Sequence, residues 1–375
     1  MIKIIANCRL YDKPNERLHI IIENDKIKQI TPFLPKEGSL IFDAKETLVA
    51  PGLIDTHVHG AGGYNPSDNS PKAIDKMAES LCKMGTTSFT PTAFYNVGEE
   101  NEHLQSMADH LSENCQADNL GLHLEGPFIN PLRKGGIPRT CLCEANRENF
   151  SDLLIKTRSR LKILTIAPEI TWTEQVISMS KELGFISSLG HSDADPIFAQ
   201  KGLDEGISCI THLNNAMRKY NRDKNHPLET LAKSNVYAQI IPDGVHLKED
   251  EIRHLYNLFG LDRLICITDG IAACGLPDGE YDFNGKRYQS ENGLAFYSDG
   301  SGMIGTTLSL FQVMMRFKNF SSCTLSQALK TVTENPAKCL GVDKRKGFIR
   351  EGYDADLIFI KNDELVQVIN RGQLI

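Results

Sequence analysis

Apolar and polar positions alternate in short runs at both ends of the chain, and give way between them to separated, more continuous apolar runs. Near the N-terminal end, Leu18-His19-Ile20-Ile21-Ile22, the turn Glu23-Asn24-Asp25 and Lys26-Ile27-Lys28-Gln29-Ile30 spell a β-hairpin. The last segment resembles it, with Gly347-Phe348-Ile349, Asp356-Leu357-Ile358-Phe359-Ile360, the turn Lys361-Asn362-Asp363 and Leu365-Val366-Gln367-Val368-Ile369. Two strand-rich ends predict one small β-sandwich domain, built from residues 1–50 and 346–375, that brackets a larger unit of residues 51–345. In that unit strand-like runs recur at 53–56, 86–90, 119–124, 162–167, 185–189, 207–211, 236–241 and 264–268. Helical stretches separate them, for example 71–84 closed by Gly85 and 174–183 closed by Gly184, where glycine is the preferred terminator. Eight strands alternating with helices predict an α/β fold, a (β/α)8 TIM barrel. A doubly wound open sheet would give similar runs, and periodicity alone does not separate the two.

The residues that close each run carry more information. The first run ends in Pro51-Gly52-Leu53-Ile54-Asp55-Thr56-His57-Val58-His59-Gly60, and His57 and His59, two apart, project the same way from a strand end. The third ends in Leu122-His123-Leu124-Glu125-Gly126-Pro127, the fifth in Leu189-Gly190-His191-Ser192, and the sixth in Ile210-Thr211-His212-Leu213-Asn214-Asn215. The seventh runs into Pro242-Asp243-Gly244-Val245-His246, and the eighth ends in Cys266-Ile267-Thr268-Asp269-Gly270. Any one of these groups alone reads as a cap or a turn residue. In phase with the strand rhythm, they would share the C-terminal face of a barrel, where active sites are built.

Bulk properties narrow the class. At 375 residues, with 41% hydrophobic and 24% charged residues, the chain can bury a normal core and is longer than one small domain. A formal net charge of -7 argues against nucleic acid as the main partner, since a polyanion needs a basic face. A small anionic substrate remains compatible with it. The ten cysteines include no Cys-x-x-Cys pair, and Cys209 and Cys266 fall in apolar runs, which fits reduced structural thiols in a cytoplasmic protein. Cys141-x-Cys143 reads as two thiols without nearby partners. The N-terminal Met1-Ile2-Lys3-Ile4-Ile5 has none of the marks of a signal or membrane segment, so no membrane partner is expected.

Glu125, His191 and His212 supply one nitrogen- and oxygen-rich ligand set, and His57 and His59 could hold a second ion with Glu125 as the bridge. Such ligands suit zinc or iron, one or two ions per subunit. A bound divalent ion lowers the pKa of water to about 7, and Asp269 is the candidate to take that proton and hand it to a departing amine. His246 is then left to hold or polarise a substrate.

At these residues the sequence resembles a known family. Pro51 to His59, with Gly352-Tyr353-Asp354-Ala355-Asp356-Leu357, resembles the amidohydrolase superfamily. More narrowly, His123-Leu124-Glu125-Gly126-Pro127-Phe128, Gly190-His191-Ser192, Thr211-His212-Leu213 with Asn215-Ala216-Met217, Asp243-Gly244-Val245-His246 and Thr268-Asp269-Gly270 resemble the N-acetylglucosamine-6-phosphate deacetylases. So do Ala273-Cys274-Gly275-Leu276-Pro277-Asp278-Gly279-Glu280-Tyr281 and Thr333-Glu334-Asn335-Pro336-Ala337, so that the match runs along almost the whole chain. The resemblance implies a deacetylase of amino-sugar catabolism in which Glu125, His191 and His212 bind the metal and Asp269 is the acid-base residue. It also implies that His246, Asn215 and Ala216 contact the sugar phosphate.

Two departures bear on the substrate. Lys134-Gly135-Gly136-Ile137-Pro138 stands where the family commonly reads Lys-Gly-Ala-His-Pro, so that Gly136 and Ile137 occupy substrate-contacting positions and Ile137 replaces a histidine. Asn214 stands where an aromatic residue is usual, and Arg222 is an approximate counterpart, slightly out of register, of the family's phosphate-binding arginine. In the family that arginine reaches the partner subunit's site, which implies a homodimer. The alternatives are a deacetylase of N-acetylgalactosamine 6-phosphate or of another N-acyl compound, an amidohydrolase acting on a cyclic amide or a deaminated base, and a non-catalytic scaffold that keeps the barrel for binding.

Overall fold

In the computed structural model, which describes residues 2–45, 47–68, 70–110, 112, 116–219, 226–283, 286–300 and 302–375, eight parallel strands follow one another in chain order. They are Leu53–Val58, Thr86–Ala93, Leu122–Glu125, Leu161–Ile166, Ile186–Leu189, Cys209–Ile210, Tyr237–Ile240 and Leu264–Cys266. Each pairs in parallel with the next, and consecutive parallel order selects the barrel over the doubly wound sheet. The first strand and the segment after the eighth then close the ring. Val58 bridges Gly270 in parallel, His59 N–H donates to the Gly270 carbonyl at 2.7 Å, and Asp269 N–H donates to the His57 carbonyl at 3.0 Å. Closure therefore uses the backbone of the residues whose side chains are candidates for chemistry.

The third run differs from its expected single strand. It splits into Asp118–Asn119 and Leu122–Glu125, both beside the second strand, with Gly121 at φ 119° between them. A Cβ on Gly121 would lie 2.9 Å from the Arg160 carbonyl oxygen, so the chain turns there on a residue without one. Helices Pro71–Lys83 and Thr173–Leu183 give way to Gly85 at φ 89° and Gly184 at φ 81°.

Strands from both chain ends share one eight-stranded sheet. The first strand, Ile2–Leu10, pairs with Lys13–Glu23 along one edge; along the other it forks, taking Ser39–Asp43 at one end and Leu48–Pro51 at the other. Leu357–Lys361 and Glu364–Asn370 continue the sheet beyond Leu48–Pro51. Gly347-Phe348-Ile349, expected to be strand, is a bend. Gly347 sits at φ 82° with its missing Cβ 2.7 Å from the Thr333 carbonyl oxygen, a contact that only glycine fits.

A third sheet has no counterpart in the sequence reading. Gly279–Phe283, Lys286–Glu291, Leu294–Tyr297 and Met303–Thr306 form an antiparallel meander directly after the eighth barrel strand. Its last strand supports the Asp269 turn: Thr306 N–H donates to the Asp269 carbonyl at 3.1 Å, and Thr306 Oγ1 donates to the Thr268 carbonyl at 2.7 Å. Among the described residues no helix is long and apolar enough to cross a membrane.

A buried charge cluster joins the barrel to the small sheet. Lys346 Nζ lies 2.7 Å from Asp356, 2.8 Å from Asp354 and 3.3 Å from Asp118, and Arg345 and Arg371 also meet Asp118. Burial opposes ionisation of Asp118 and Asp354, yet the surrounding cations together outweigh it, Lys346 foremost with Arg345 and Arg371 at Asp118 and with Lys26 and Arg345 at Asp354, and hold both below the usual carboxylate range. A depressed carboxylate pKa contributes stability above the unfolded value near 4, and loses it as pH falls through the folded value. Lys346→Ala removes the cation buried among Asp118, Asp354 and Asp356, and is expected to cost about 3–5 kcal/mol in urea unfolding at pH 7. The penalty should shrink in acid as the carboxylates protonate, and an equal penalty at neutral and acid pH would contradict this role.

Candidate active site

The strand ends gather the expected side chains into one cluster. Asp55, His57 and His59 alternate along the first strand and beyond it, with side chains on one face. Glu125 ends the third strand, His191 and His212 follow the fifth and sixth by two residues, and Asp269 follows the eighth by three. His191, His212 and Asp269 have φ of 47°, 29° and 46°, and Asn214 and Ala216 have φ of 70° and 49°. Left-handed backbone at residues with a Cβ costs on the order of 1–3 kcal/mol each and concentrates where side chains must be aimed. Here it turns the ends of three strands inward.

Glu125 lies at the centre. Its Oε1 is 2.8 Å from His212 Nε2, 2.9 Å from His191 Nε2 and 3.5 Å from His57 Nε2, while Oε2 is 3.3 Å from His59 Nε2. The Nε2 atoms of His191 and His212 are 3.1 Å apart, as are those of His57 and His59. Asp269 Oδ1 lies 3.4 Å from both His57 Nε2 and His59 Nε2. Burial opposes a charge on Glu125, but the surrounding imidazoles, His57 and His191 first and His212 with them, hold its carboxyl well below the usual range. His57, fully buried beside His123, His59 and His212, is pushed well below the ordinary imidazole value, chiefly by burial.

The donor set fits a cation. His191 Nδ1 faces the Arg133 carbonyl at 2.8 Å, so Nδ1 carries the proton and Nε2 presents a lone pair inward. That lone pair lies within 3 Å of an ionised carboxylate oxygen, an arrangement of two acceptors that a shared cation satisfies. Metal-competent atoms of His57, His59 and Asp269, and of His57, Glu125 and His212, lie within 4.8 Å of one another. His123, from the same strand as Glu125, is spent otherwise. Its Nδ1 donates to the Thr56 carbonyl at 2.9 Å and its Nε2 meets Thr165 Oγ1 at 2.8 Å, while burial pushes it down to about 4. Beneath the cluster, burial pushes Asp55 up to about 7, and Thr268 Oγ1 donates to it at 2.6 Å.

A cavity of about 200 Å³ opens over the cluster. Its lining includes His59, Glu125, His191, His212 and Asp269 from the cluster, and Gly135, Gly136, Ile137, Asn215, Ala216 and His246 around it. Asp243 accepts the His246 Nδ1–H at 2.5 Å and two backbone N–H groups at 2.7 and 2.8 Å, which orients the ring and leaves Nε2 for a ligand. Ile137, only 2% exposed, packs with Ile129, Cys141 and Phe94. Cys141 Sγ meets Asn96 Oδ1 at 3.2 Å, away from the cluster. Arg222 lies outside the described residues.

A model of the amidohydrolase family matches residues 48–375. The chain belongs to that family. This amidohydrolase is 32% identical to the N-acetylglucosamine-6-phosphate deacetylase of Bacillus subtilis over 95% of its own length and 92% of the relative's. It is 28% identical to the N-acetylgalactosamine-6-phosphate deacetylase of Escherichia coli O157:H7, over 87% of each chain. The crystal structure of N-acetylglucosamine-6-phosphate deacetylase from Pasteurella multocida superposes with a TM-score of 0.91 at 28% identity, covering 100% of this chain and 99% of that one.

The amidohydrolase pocket also uses residues that strand rhythm did not single out. Phe94 follows the second strand directly and packs its ring 5.3 Å from that of His59; its place at a strand end on the same face was a usable signal. Tyr297, Met303 and Ile304 come from the antiparallel meander and line the cavity from the side of the eighth strand. The Leu294-Ala295-Phe296-Tyr297 run marks a strand, but nothing local says that it reaches the site.

Proposed function

We propose that this amidohydrolase removes the N-acetyl group of N-acetylglucosamine 6-phosphate by metal-dependent hydrolysis, giving glucosamine 6-phosphate and acetate in amino-sugar catabolism. The observation that carries this reading is the convergence of Glu125, His191 and His212 on one point, with Asp269 opposite, under a pocket bounded by His246, Asn215 and Ala216. The relatives named for this activity support the substrate. Glu125, His191 and His212 would hold a zinc or iron ion. Glu125 Oε1 faces His191 and His212 while Oε2 faces His59, and the Nε2 atoms of His57 and His59 are 3.1 Å apart, which supports a second ion that His57, His59 and Glu125 would hold. When bound, such an ion polarises the acyl carbonyl and lowers the pKa of water.

The chain's own groups do the rest. Asp269 takes the proton of the attacking water as the new C–O bond forms, and returns it to the amine nitrogen as the C–N bond breaks. His246, oriented by Asp243, and the loop residues Asn215, Ala216, Gly136 and Ile137 hold the sugar, and Arg222 takes the phosphate. The resemblance to the deacetylases supports a homodimer. Cys8, Cys141, Cys266 and Cys274 are free thiols, which supports a cytoplasmic location.

The galactosamine epimer is the second reading, supported by the relative named for that substrate. Purified protein with its metal measured, offered both N-acetylated hexosamine 6-phosphates, is expected to release acetate faster from the glucosamine compound. Faster release from the galactosamine compound would establish the alternative, and turnover of neither would contradict both.

A further inference from the structure

Beside the ligand cluster lies a polar network that the proposed chemistry leaves unexplained. Asp193 stands two residues after His191. Its Oδ1 accepts from Arg133 Nε at 2.8 Å and Nη2 at 2.6 Å, and its Oδ2 accepts from Arg218 Nη2 at 3.1 Å. Its backbone carbonyl accepts from Arg218 Nε and Nη2 at 3.0 and 2.7 Å. Arg133 belongs to the loop after the third barrel strand, Asp193 to the loop after the fifth, and Arg218 to the loop after the sixth. These are the loops entered through Glu125, His191 and His212. From the loop after the fourth strand, Glu169 accepts from Asp193 N–H at 2.6 Å, Ser192 Oγ at 2.6 Å and Asn130 Nδ2 at 2.9 Å, and so ties in a further loop.

The network ends on the ligand itself. Arg133, held through its guanidinium by Asp193, presents the carbonyl that accepts His191 Nδ1–H. That bond fixes which ring nitrogen faces inward and how the ring is turned, the two things an outer partner does for a ligating histidine. The Asp193, Arg133 and Arg218 side chains are 27%, 29% and 30% exposed, so these ion pairs add little to global stability. Their place between three ligand-bearing loops is what needs an explanation.

We propose that Asp193 is a positioning residue for the ligand cluster: it sets the tautomer and aim of His191 through the carbonyl of Arg133, and holds the loops after the third, fifth and sixth strands in register through Arg133 and Arg218. The inference rests on the reading that Glu125, His191 and His212 hold a metal ion.

The test is Zn2+ affinity of the full-length protein, measured by competition with a chromophoric chelator, beside thermal melting and without substrate. Asp193→Ala and Arg133→Ala are each expected to weaken Zn2+ binding by about ten- to hundredfold, the range for outer partners of metal ligands, with little change in melting. Asp193→Asn, which keeps an acceptor oxygen, is expected to fall between Asp193→Ala and wild type. Because both residues act through one carbonyl, the double variant Asp193→Ala/Arg133→Ala should be no weaker than Asp193→Ala alone. Wild-type affinity in Asp193→Ala, or fully additive losses in the double variant, overturns the proposal. If Asp193→Ala fails to fold, the same cycle is read with Asp193→Asn and Arg133→Ala. Absence of Zn2+ binding by the wild type would overturn the metal site together with this inference, whereas tight wild-type binding that Asp193→Ala leaves unchanged would overturn the inference alone.

Discussion

Asp269→Asn is expected to lower kcat by about a hundred- to ten-thousandfold, with KM and the ion at Glu125, His191 and His212 retained. The asparagine keeps the size and the backbone of the turn, which is fixed by Asp269 N–H on the His57 carbonyl and by Thr306 N–H on the Asp269 carbonyl. What it removes is a group that can take a proton and give it back. Asp269 stands apart from the other candidates in that its side chain is the most open of the cluster, 17% exposed against 7% or less for Glu125 and the four histidines, where water and substrate can reach it. Its Oδ1 also lies 3.4 Å from His57 and His59, so a fall in the number of bound ions from two to one is compatible with the same loss. A variant that releases acetate at close to the wild-type rate would remove Asp269 from the chemistry.

Glu125→Gln is expected to be more severe. The neutral amide keeps the shape of the side chain but takes away the carboxylate that faces His57, His59, His191 and His212 at once. Outer partners of metal ligands typically change affinity by about ten- to hundredfold, so loss of a central ligand should exceed that range, and bound metal should fall to background after purification. Acetate release should fall with it. Metal content measured by elemental analysis checks the prediction. Full metal occupancy in Glu125→Gln would mean that the histidines alone hold the ion and that Glu125 has another role.

Much of the architecture was legible in the strand rhythm. Short apolar runs at regular spacing, separated by helices that end at Gly85 and Gly184, are local signals, and the barrel follows from them once consecutive parallel order is known. His57 and His59 were readable because strand side chains repeat every two residues. His123 stands in one motif with Glu125, and the ligand set read from the sequence omits it without a stated reason; the contacts with Thr56 and Thr165 supply one, since both its nitrogens are satisfied by protein. The meander 279–306 was missed because short strands with polar alternation, such as Lys286–Glu291, look like any exposed hairpin. Its meaning comes from where it packs, with Tyr297, Met303 and Ile304 on the cavity and Thr306 under Asp269. Gly347-Phe348-Ile349 carries apolar residues that suit a strand, but the close approach of Gly347 to Thr333 is a tertiary constraint. Asp193 was equally hidden, because its partners Arg133 and Arg218 are distant in the chain and meet it only when the barrel brings their loops together.

The most direct test of metal-dependent deacetylation is acetate release from N-acetylglucosamine 6-phosphate, followed on one sample as its metal is removed with a chelator and returned in measured equivalents. The proposed chemistry predicts that release stops when the ion is gone and recovers in proportion to the ion bound. Undiminished release from metal-free protein, or no release from fully loaded protein, would contradict it.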